Sequence, residues 1–265
     1  MSDTLVINEI YLSLQGESTW AGLPCIFVRL TACNLRCSYC DTAYAFTEGR
    51  KIPLTEVQSE IERLAAPFVA QASLPAGSRG ILAPHSEDIA ASPQPTKLPL
   101  IELTGGEPLL QANSLALMRW CCDAGFTVLL ETSGAHDLTP VDPRVHCIMD
   151  LKCPSSGEVL RNRWENLALL KPTDELKFVI GTLEDYEWAK EQIVKHGLAG
   201  KCPLLFSWGS PLTREQQDKS LKPVPPGLTP LSRRELAERI IADALPVRFQ
   251  AQLHKIIWAP DARGI

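Results

Sequence analysis

The sequence predicts an α/β fold built around a parallel sheet. Short apolar runs of strand character alternate with amphipathic helical stretches along the chain, and such alternation pairs strands in parallel through right-handed crossovers. Glycine and polar clusters recur directly after the strand-like runs, at the edge where parallel sheets carry their chemistry. A length of 265 residues suits one domain of barrel size or two small ones, and the α/β rhythm resumes unchanged after the proline-rich stretch that could have divided them. A single domain over 1–265 is therefore expected, with a Pro/Ala/Ser-rich exposed insertion over about 67–99 and a proline-rich loop over about 211–230.

The elements follow from local pattern. Leu5–Tyr11 reads as a first strand and Cys25–Leu30 as a buried second one. Thr55-Glu56-Val57-Gln58 has the form of a capping box, opening a helix that aligns Val57, Ile61, Leu64 and Ala65 on one face. Pro75, Pro84, Pro93, Pro95 and Pro99 then exclude regular structure from most of the insertion. The rhythm resumes with a strand at Leu98–Leu103, a helix at Leu109–Ala124 stopped by Gly125, and strands at Phe126–Glu131 and Val145–Asp150. Glu165–Leu170 predicts a short helix, Glu175–Ile180 a strand, Leu183–His196 a helix ended by Gly197, and Pro203–Phe206 a strand. Ser232-Arg233-Arg234-Glu235 is a second capping box, opening a helix to about Ala244, and Val247–Leu253 is the last strand.

Composition excludes several function classes. A net charge of −5 gives no basic surplus of the kind a dedicated nucleic-acid binder carries. No apolar run reaches the roughly 18 residues of a membrane span. Met1-Ser2-Asp3-Thr4 lacks the features of an export signal. Nine cysteines without such a signal predict free thiols in a reducing cytoplasm. Within the Cys121-Cys122 pair at least one side chain is expected to be core filler, because adjacent helical residues point apart.

Chemistry concentrates in Cys33-Asn34-Leu35-Arg36-Cys37-Ser38-Tyr39-Cys40. The C-x3-C-x2-C spacing can aim three thiolates at one point, a pattern suited to soft metals and iron–sulfur clusters. A structural zinc site takes four protein ligands, so a zinc knuckle would have to borrow Cys25 or a histidine. A 4Fe–4S cluster on three cysteines instead leaves one iron open. Elsewhere, Gly16 between Gln15 and Glu17 suggests a close approach to a ligand or a plain polar turn. Arg29, alone in an apolar strand, needs a partner, either a structural carboxylate or an anionic substrate group. Asp41-Thr42 offers oxygen ligands for a hard cation such as magnesium, or a simple helix cap. Gly105-Gly106 after a strand allows close backbone approach, and Glu107 can accept from an amine.

The aromatic Tyr39 completes C-x3-C-x-aromatic-C, and with Leu103-Thr104-Gly105-Gly106-Glu107-Pro108 it resembles the cluster and GGEP motifs of radical S-adenosylmethionine (SAM) enzymes. The block Ser13-Leu14-Gln15-Gly16-Glu17, Trp20-Ala21-Gly22, Phe27-Val28-Arg29-Leu30, Cys40-Asp41-Thr42 and Leu253-His254-Lys255 is similar to the 7-carboxy-7-deazaguanine synthase family over most of the chain outside the two loops.

That resemblance implies a partial (β/α)6 TIM-like barrel of the radical SAM type, a homodimer, and a lyase of queuosine or other deazapurine biosynthesis. The family converts 6-carboxy-5,6,7,8-tetrahydropterin to 7-carboxy-7-deazaguanine with release of ammonia, without contacting nucleic acid or membrane itself. An electron donor such as flavodoxin or ferredoxin would feed the cluster. By resemblance, Cys33, Cys37 and Cys40 hold the 4Fe–4S cluster and Thr42 holds Mg2+. Leu14, Gln15, Gly16, Glu17, Arg29 and Thr104 surround the pterin. Gly105, Gly106, Glu107, Asp150, Leu151, Lys152 and Ser207 face SAM, although 150–152 departs from the family's usual Ser-Pro-Lys text. The chain also runs past His254-Lys255, so Pro260 or the Ile265 terminus would stand where some members place a terminal carboxylate. Two rival classes share part of the pattern. A glycyl-radical-enzyme activase has the same cysteine spacing, and the Ser13–Glu17 block argues against it. A non-enzymatic metal-binding module is opposed by the Gly105–Pro108 segment.

Overall fold

The computed structural model of the chain describes residues 3–72, 97–259 and 261–264. Most of the expected insertion, together with Pro260 and Ile265, lies outside the described residues.

Among the described residues nine strands form one sheet, in the order β3-β1-β2-β4-β5-β6-β7-β8-β9. They are β1 (Thr4–Leu14), β2 (Pro24–Leu30), β3 (Arg50–Pro53), β4 (Leu100–Gly105), β5 (Val128–Thr132), β6 (His146–Leu151), β7 (Glu175–Ile180), β8 (Leu204–Trp208) and β9 (Arg248–Gln250). From β2 through β9 every neighbouring pair is parallel. The first strand departs from the expected parallel pattern, since β1 runs antiparallel to both β2 and β3. Residues 15–23 alone join β1 to β2, shorter than the dozen or so residues a parallel crossover needs. Sequence pattern missed β3 because Arg50-Lys51-Ile52-Pro53 buries only Ile52.

The helices are α1 (Leu54–Ala72), α2 (Asn113–Asp123), α3 (Leu183–Lys195), α4 (Arg233–Ala242) and α5 (His254–Ile257). Helix α1 begins before Thr55, so the expected capping box there does not form, and it continues through Pro67. The start of the expected insertion is corrected accordingly: 67–72 is helical. An exposed proline is tolerated where the opposite face, Val57, Ile61 and Ala65, is anchored in the core. Capping boxes are present at Ser232/Glu235 and, unexpectedly, at Thr182/Asp185. The helix expected over 109–124 divides into a short 3-10 turn, Pro108–Leu110, and α2. The helix expected at 165–170 is a 3-10 turn, Trp164–Ala168. No α-helix connects β5 to β6 or β6 to β7. The last strand is shorter than expected because the chain turns into α5, whose first turn is tied back when Leu253 N–H donates to Gly16 O at 2.9 Å. Residues 209–229 carry turns but neither helix nor strand.

Alternation along the strands sorts side chains to the two faces of the sheet. One face packs Ile26, Val28, Leu30, Ile101, Leu103, Val128 and Leu130 under α1 and α2. Farther along, Met149, Leu151, Leu176, Phe178, Leu204 and Phe206 pack with Tyr186, Ala189 and Ile193 of α3 and Leu236 and Ile240 of α4. Each such fully buried aliphatic or aromatic side chain contributes about 1.5–3 kcal/mol. Cys121 belongs to this core, as expected, and all nine cysteines are free. Among the described residues the opposite face has only a small apolar group, in which Trp20 packs on Cys25, Phe27, Leu100, Leu129 and Ile148. Above that group the residues are polar. Among the described residues no helix is long and apolar enough to cross a membrane.

Candidate active site

The polar part of that face opens into a cavity of about 640 Å³. The cysteine loop forms one wall. Cys33, Cys37 and Cys40 all line it, with Tyr39 and Thr42 beside them. The loop is seated by the backbone at the end of β4. Gly106 N–H donates to Leu30 O at 3.1 Å and Glu107 N–H to Ala32 O at 2.8 Å. A methyl group on Gly106 would collide with the Ala32 carbonyl and lie 2.9 Å from Cys33 N. Gly105, at φ 125°, adopts a conformation that glycine supplies without strain.

Burial pushes the Cys33, Cys37 and Cys40 thiols up, Cys37 to about 12, against the pull of the nearby Lys152 ammonium. Metal coordination would displace those protons. Among the described residues no three Cys, His, Asp or Glu side chains converge on one ion-sized point. A single zinc would need sulfur atoms within roughly 4 Å of one another, given Zn–S bonds near 2.3 Å. Cys25 is no fourth ligand, being enclosed with Trp20 and Phe27 instead. The three thiols line one cavity and have no fourth protein ligand beside them among the described residues, the donor set of a cluster with one open iron. Two orphaned polar atoms also face this region: Asp150 Oδ1 and the Tyr39 hydroxyl are buried without a hydrogen-bond partner. The other Asp150 oxygen, Oδ2, takes Lys152 Nζ at 2.6 Å. The wall thus has unspent hydrogen-bonding capacity for a polar ligand.

Arg29 lines the same cavity. Its Nε donates to Glu9 at 2.7 Å and its Nη2 to the Tyr11 hydroxyl at 2.9 Å, and the guanidinium lies 6.0 Å from the ring centres of Tyr11 and Tyr44. Burial opposes its charge, but Tyr11, Tyr44 and Glu9 outweigh that and hold it cationic. Asp41 is buried, which would raise its pKa; the Lys255 ammonium at 2.5 Å overcomes this and holds it below the usual carboxylate range. Thr42 Oγ1 lies 3.7 Å from Cys40 Sγ.

A charged network crosses the floor. Lys177 pairs with Glu131 and lies 3.7 Å from Glu17. Burial disfavours the ammonium, but Glu131 and Glu17 raise its pKa; the same pairing overcomes burial and lowers that of Glu131. Thr104 Oγ1 donates to Glu131 at 3.1 Å and Ser207 Oγ to Glu17 at 2.7 Å. Glu102 behaves oppositely. Burial, reinforced by the Glu131 charge, raises its pKa well above 4.5, and its carboxyl meets the Gln15 amide. The Gln15 Oε1 accepts from Glu17 N–H at 2.6 Å, fixing the loop backbone.

No protein-family model matches the chain. It is 41% identical over 264 residues to the 7-carboxy-7-deazaguanine synthase of Koribacter versatilis (strain Ellin345), covering 98% of this chain and 99% of that one. The chain belongs to the 7-carboxy-7-deazaguanine synthase family. The synthase of Chlorobaculum tepidum is 40% identical over 264 residues (98% and 97% covered). That of Thermoplasma acidophilum is 30% identical over 263 (98% and 100%). In fold the chain resembles QueE from Escherichia coli, with a TM-score of 0.59 at 20% identity over 95% of both chains. It also resembles Streptococcus suis SuiB bound to precursor peptide SuiA, with a TM-score of 0.50 at 14% identity over 83% of this chain and 46% of that one.

Of the positions expected from resemblance to the synthase family, Leu14, Gln15, Gly16, Glu17, Arg29 and Thr104 share the cavity with the three cysteines and Thr42. Gly105, Gly106, Asp150, Lys152 and Ser207 line it too. Two expected positions stand behind the wall. Leu151 faces the apolar core, as strand alternation from Asp150 requires. Glu107 is fully buried, with its carboxylate taken by Leu109 N–H, Thr132 Oγ1, Ser133 N–H and Ser133 Oγ. In this structure Glu107 ties the glycine turn to the end of β5. Sequence reasoning did not single out Glu102, Glu131, Lys177 or His254 for the site. The first three carry the signal that marked Arg29, a charge inside an apolar strand.

Proposed function

We propose that this chain is a radical SAM lyase that converts 6-carboxy-5,6,7,8-tetrahydropterin to 7-carboxy-7-deazaguanine with release of ammonia. One observation carries this reading beyond family membership. The cysteine loop, the glycine pair that seats it and the Arg29/Gln15 wall enclose a single cavity. In this reading the parallel strands constitute a partial (β/α)6 barrel of the radical SAM type within a single domain. The working enzyme is a cytoplasmic homodimer, supplied with electrons by a donor such as flavodoxin or ferredoxin.

Cys33, Cys37 and Cys40 would hold the 4Fe–4S cluster, which when loaded with SAM supplies the 5′-deoxyadenosyl radical needed to abstract a substrate hydrogen. Everything else falls to the polypeptide. Gly105 and Gly106 let SAM approach the turn after β4, while Glu107 keeps that turn in place from behind. Asp150 has a free oxygen for a ligand donor and Lys152 a cation for a carboxylate. Ser207 commits its hydroxyl to Glu17, so its backbone would be the part that faces SAM. Leu151 sets their spacing from the core side.

Arg29, held charged between Glu9 and two tyrosines, would grip the substrate carboxylate. Thr42 would hold Mg2+ near that carboxylate. The backbone of Leu14 and Gly16 and the amide of Gln15 would read the pterin edge, with Glu17 adjacent and Thr104 beneath. An anaerobic assay of iron-reconstituted protein with SAM, reductant, Mg2+ and 6-carboxytetrahydropterin tests the reading by product mass. 7-Carboxy-7-deazaguanine is expected, and Cys37→Ala should abolish it. Cleavage of SAM with the pterin untouched would overturn the substrate assignment.

A further inference from the structure

The cysteine loop is gripped from outside by residues that the reaction does not use. Arg36, between Cys33 and Cys37, has both sides of its backbone engaged by distant loops. Its N–H donates to Glu158 Oε1 at 2.7 Å, and its C=O accepts from Lys222 N–H at 2.9 Å. These two partners also bind each other, with Lys222 Nζ lying 2.9 Å from Glu158 Oε2. Lys222 Nζ donates to Gly157 O at 2.8 Å as well, and its stem crosses Gly157 so closely that an added methyl would meet Cδ at 3.1 Å.

The same loop after β6 holds the next residue but one. Ser38 N–H donates to Ser156 O at 3.1 Å and Ser38 Oγ to Ser155 O at 2.7 Å. The Arg36 side chain folds inward, its Nη1 donating to Cys33 O at 2.8 Å and Leu35 O at 2.6 Å, with the guanidinium 4.2 Å from the Phe46 ring centre. Leu35 N–H, one residue before the clamped amide, points at Cys33 Sγ at 3.4 Å. The Glu158 side chain is 6% exposed and that of Lys222 is 47%.

We propose that Glu158 and Lys222 form a clasp that positions the cysteine loop and sets the charge felt at its cluster. The inference rests on the cluster assignment to Cys33, Cys37 and Cys40. By taking the Arg36 N–H, Glu158 fixes the peptide next to the Leu35 amide that meets the Cys33 sulfur. Hydrogen bonds to sulfur and nearby charge are the means by which a protein adjusts an iron–sulfur potential. The two partners act with opposite sign. A buried carboxylate disfavours the added electron, whereas an ammonium favours it. The more exposed Lys222 is better screened by solvent, so its influence is the weaker.

The test is a redox titration followed by electron paramagnetic resonance on the full-length, iron-reconstituted protein. Iron and sulfide content is measured first. If the wild-type protein assembles no 4Fe–4S cluster, the cluster assignment itself fails, and the clasp with it. With the cluster present, Glu158→Gln keeps an acceptor for Arg36 N–H but removes the charge, and the midpoint potential should rise. Lys222→Met should lower it by a smaller shift, and the double variant should fall between the two. An unchanged potential in Glu158→Gln with full cluster content would overturn the proposal. Shifts of the same sign in both single variants would also overturn it, because loosening of the loop alone would produce them. Should Glu158→Gln fail to load iron, Lys222→Met decides: a fall supports the clasp, and a rise or no change overturns it.

Discussion

Gly16 and His254, near opposite ends of the chain, are packed without room for a side chain at residue 16. A methyl group there would overlap His254 Nδ1 and stand 3.3 Å from both its Cγ and its backbone nitrogen. The Gly16 carbonyl also accepts from Leu253 N–H at 2.9 Å. The loop after β1 and the start of α5 therefore form one piece of cavity wall. Burial lowers the His254 pKa, against the attraction of Glu17 and Asp41, so the imidazole is favoured in its neutral form against that loop.

Gly16→Ala is expected to push α5 away and open this wall, while the cysteine loop keeps its hydrogen bonds to the Gly106-Glu107 backbone. The pterin KM should rise about tenfold, equivalent to about 1.4 kcal/mol, with iron content unchanged. Steady-state kinetics and iron analysis on the same preparation check both parts. Loss of iron would show that the two walls are coupled.

Gly106→Ala should act on the other wall. Its methyl would meet the Ala32 carbonyl and Cys33 N, which are backbone atoms that cannot swing aside. The variant is expected to lose most of its iron after reconstitution, with little change in circular dichroism, since the collision is confined to the loop. Full iron loading would show that the loop can be seated another way.

Lys177 neutralises two carboxylates at once. Lys177→Met would leave Glu131 and Glu17 without their cation and should destabilise the fold by about 3–5 kcal/mol, the usual cost of breaking a buried pair. The double variant Lys177→Met/Glu131→Gln should recover part of that loss. Urea unfolding of both variants measures it, and equal stabilities would contradict the pairing.

The raised pKa of Glu102 predicts a pH dependence. Burial and the Glu131 charge hold its pKa well above the ordinary 4.5, so the folded chain keeps a proton that the unfolded chain releases. Its stabilising contribution is fully present below about pH 4.5 and is lost as pH rises through the folded pKa. Glu102→Gln removes this titration while keeping a neutral partner for Gln15. Its melting temperature relative to the wild type should therefore increase between about pH 5 and about pH 9. A constant difference across that range would show that Glu102 is ionised in the folded state.

The sequence by itself determined the parallel α/β layout, since strand and helix periods are local properties of the text. It also marked the cysteine loop, the Gly105-Gly106 turn, and Arg29 as a charge in an apolar strand. What it could not decide were relationships between strands distant in the chain. That β1 turns back antiparallel depends on the short connection and on pairing with β3, whose four residues carry almost no apolar signal. Glu107 sits in a motif that suggests ligand contact, yet three-dimensional packing gives its carboxylate to Thr132 and Ser133. The roles of Lys177, Glu131 and Glu102 depend on which charges meet once the sheet is assembled. Burial and proximity set protonation and pairing, and both exist only after residues far apart in the chain have been brought onto one face of the sheet.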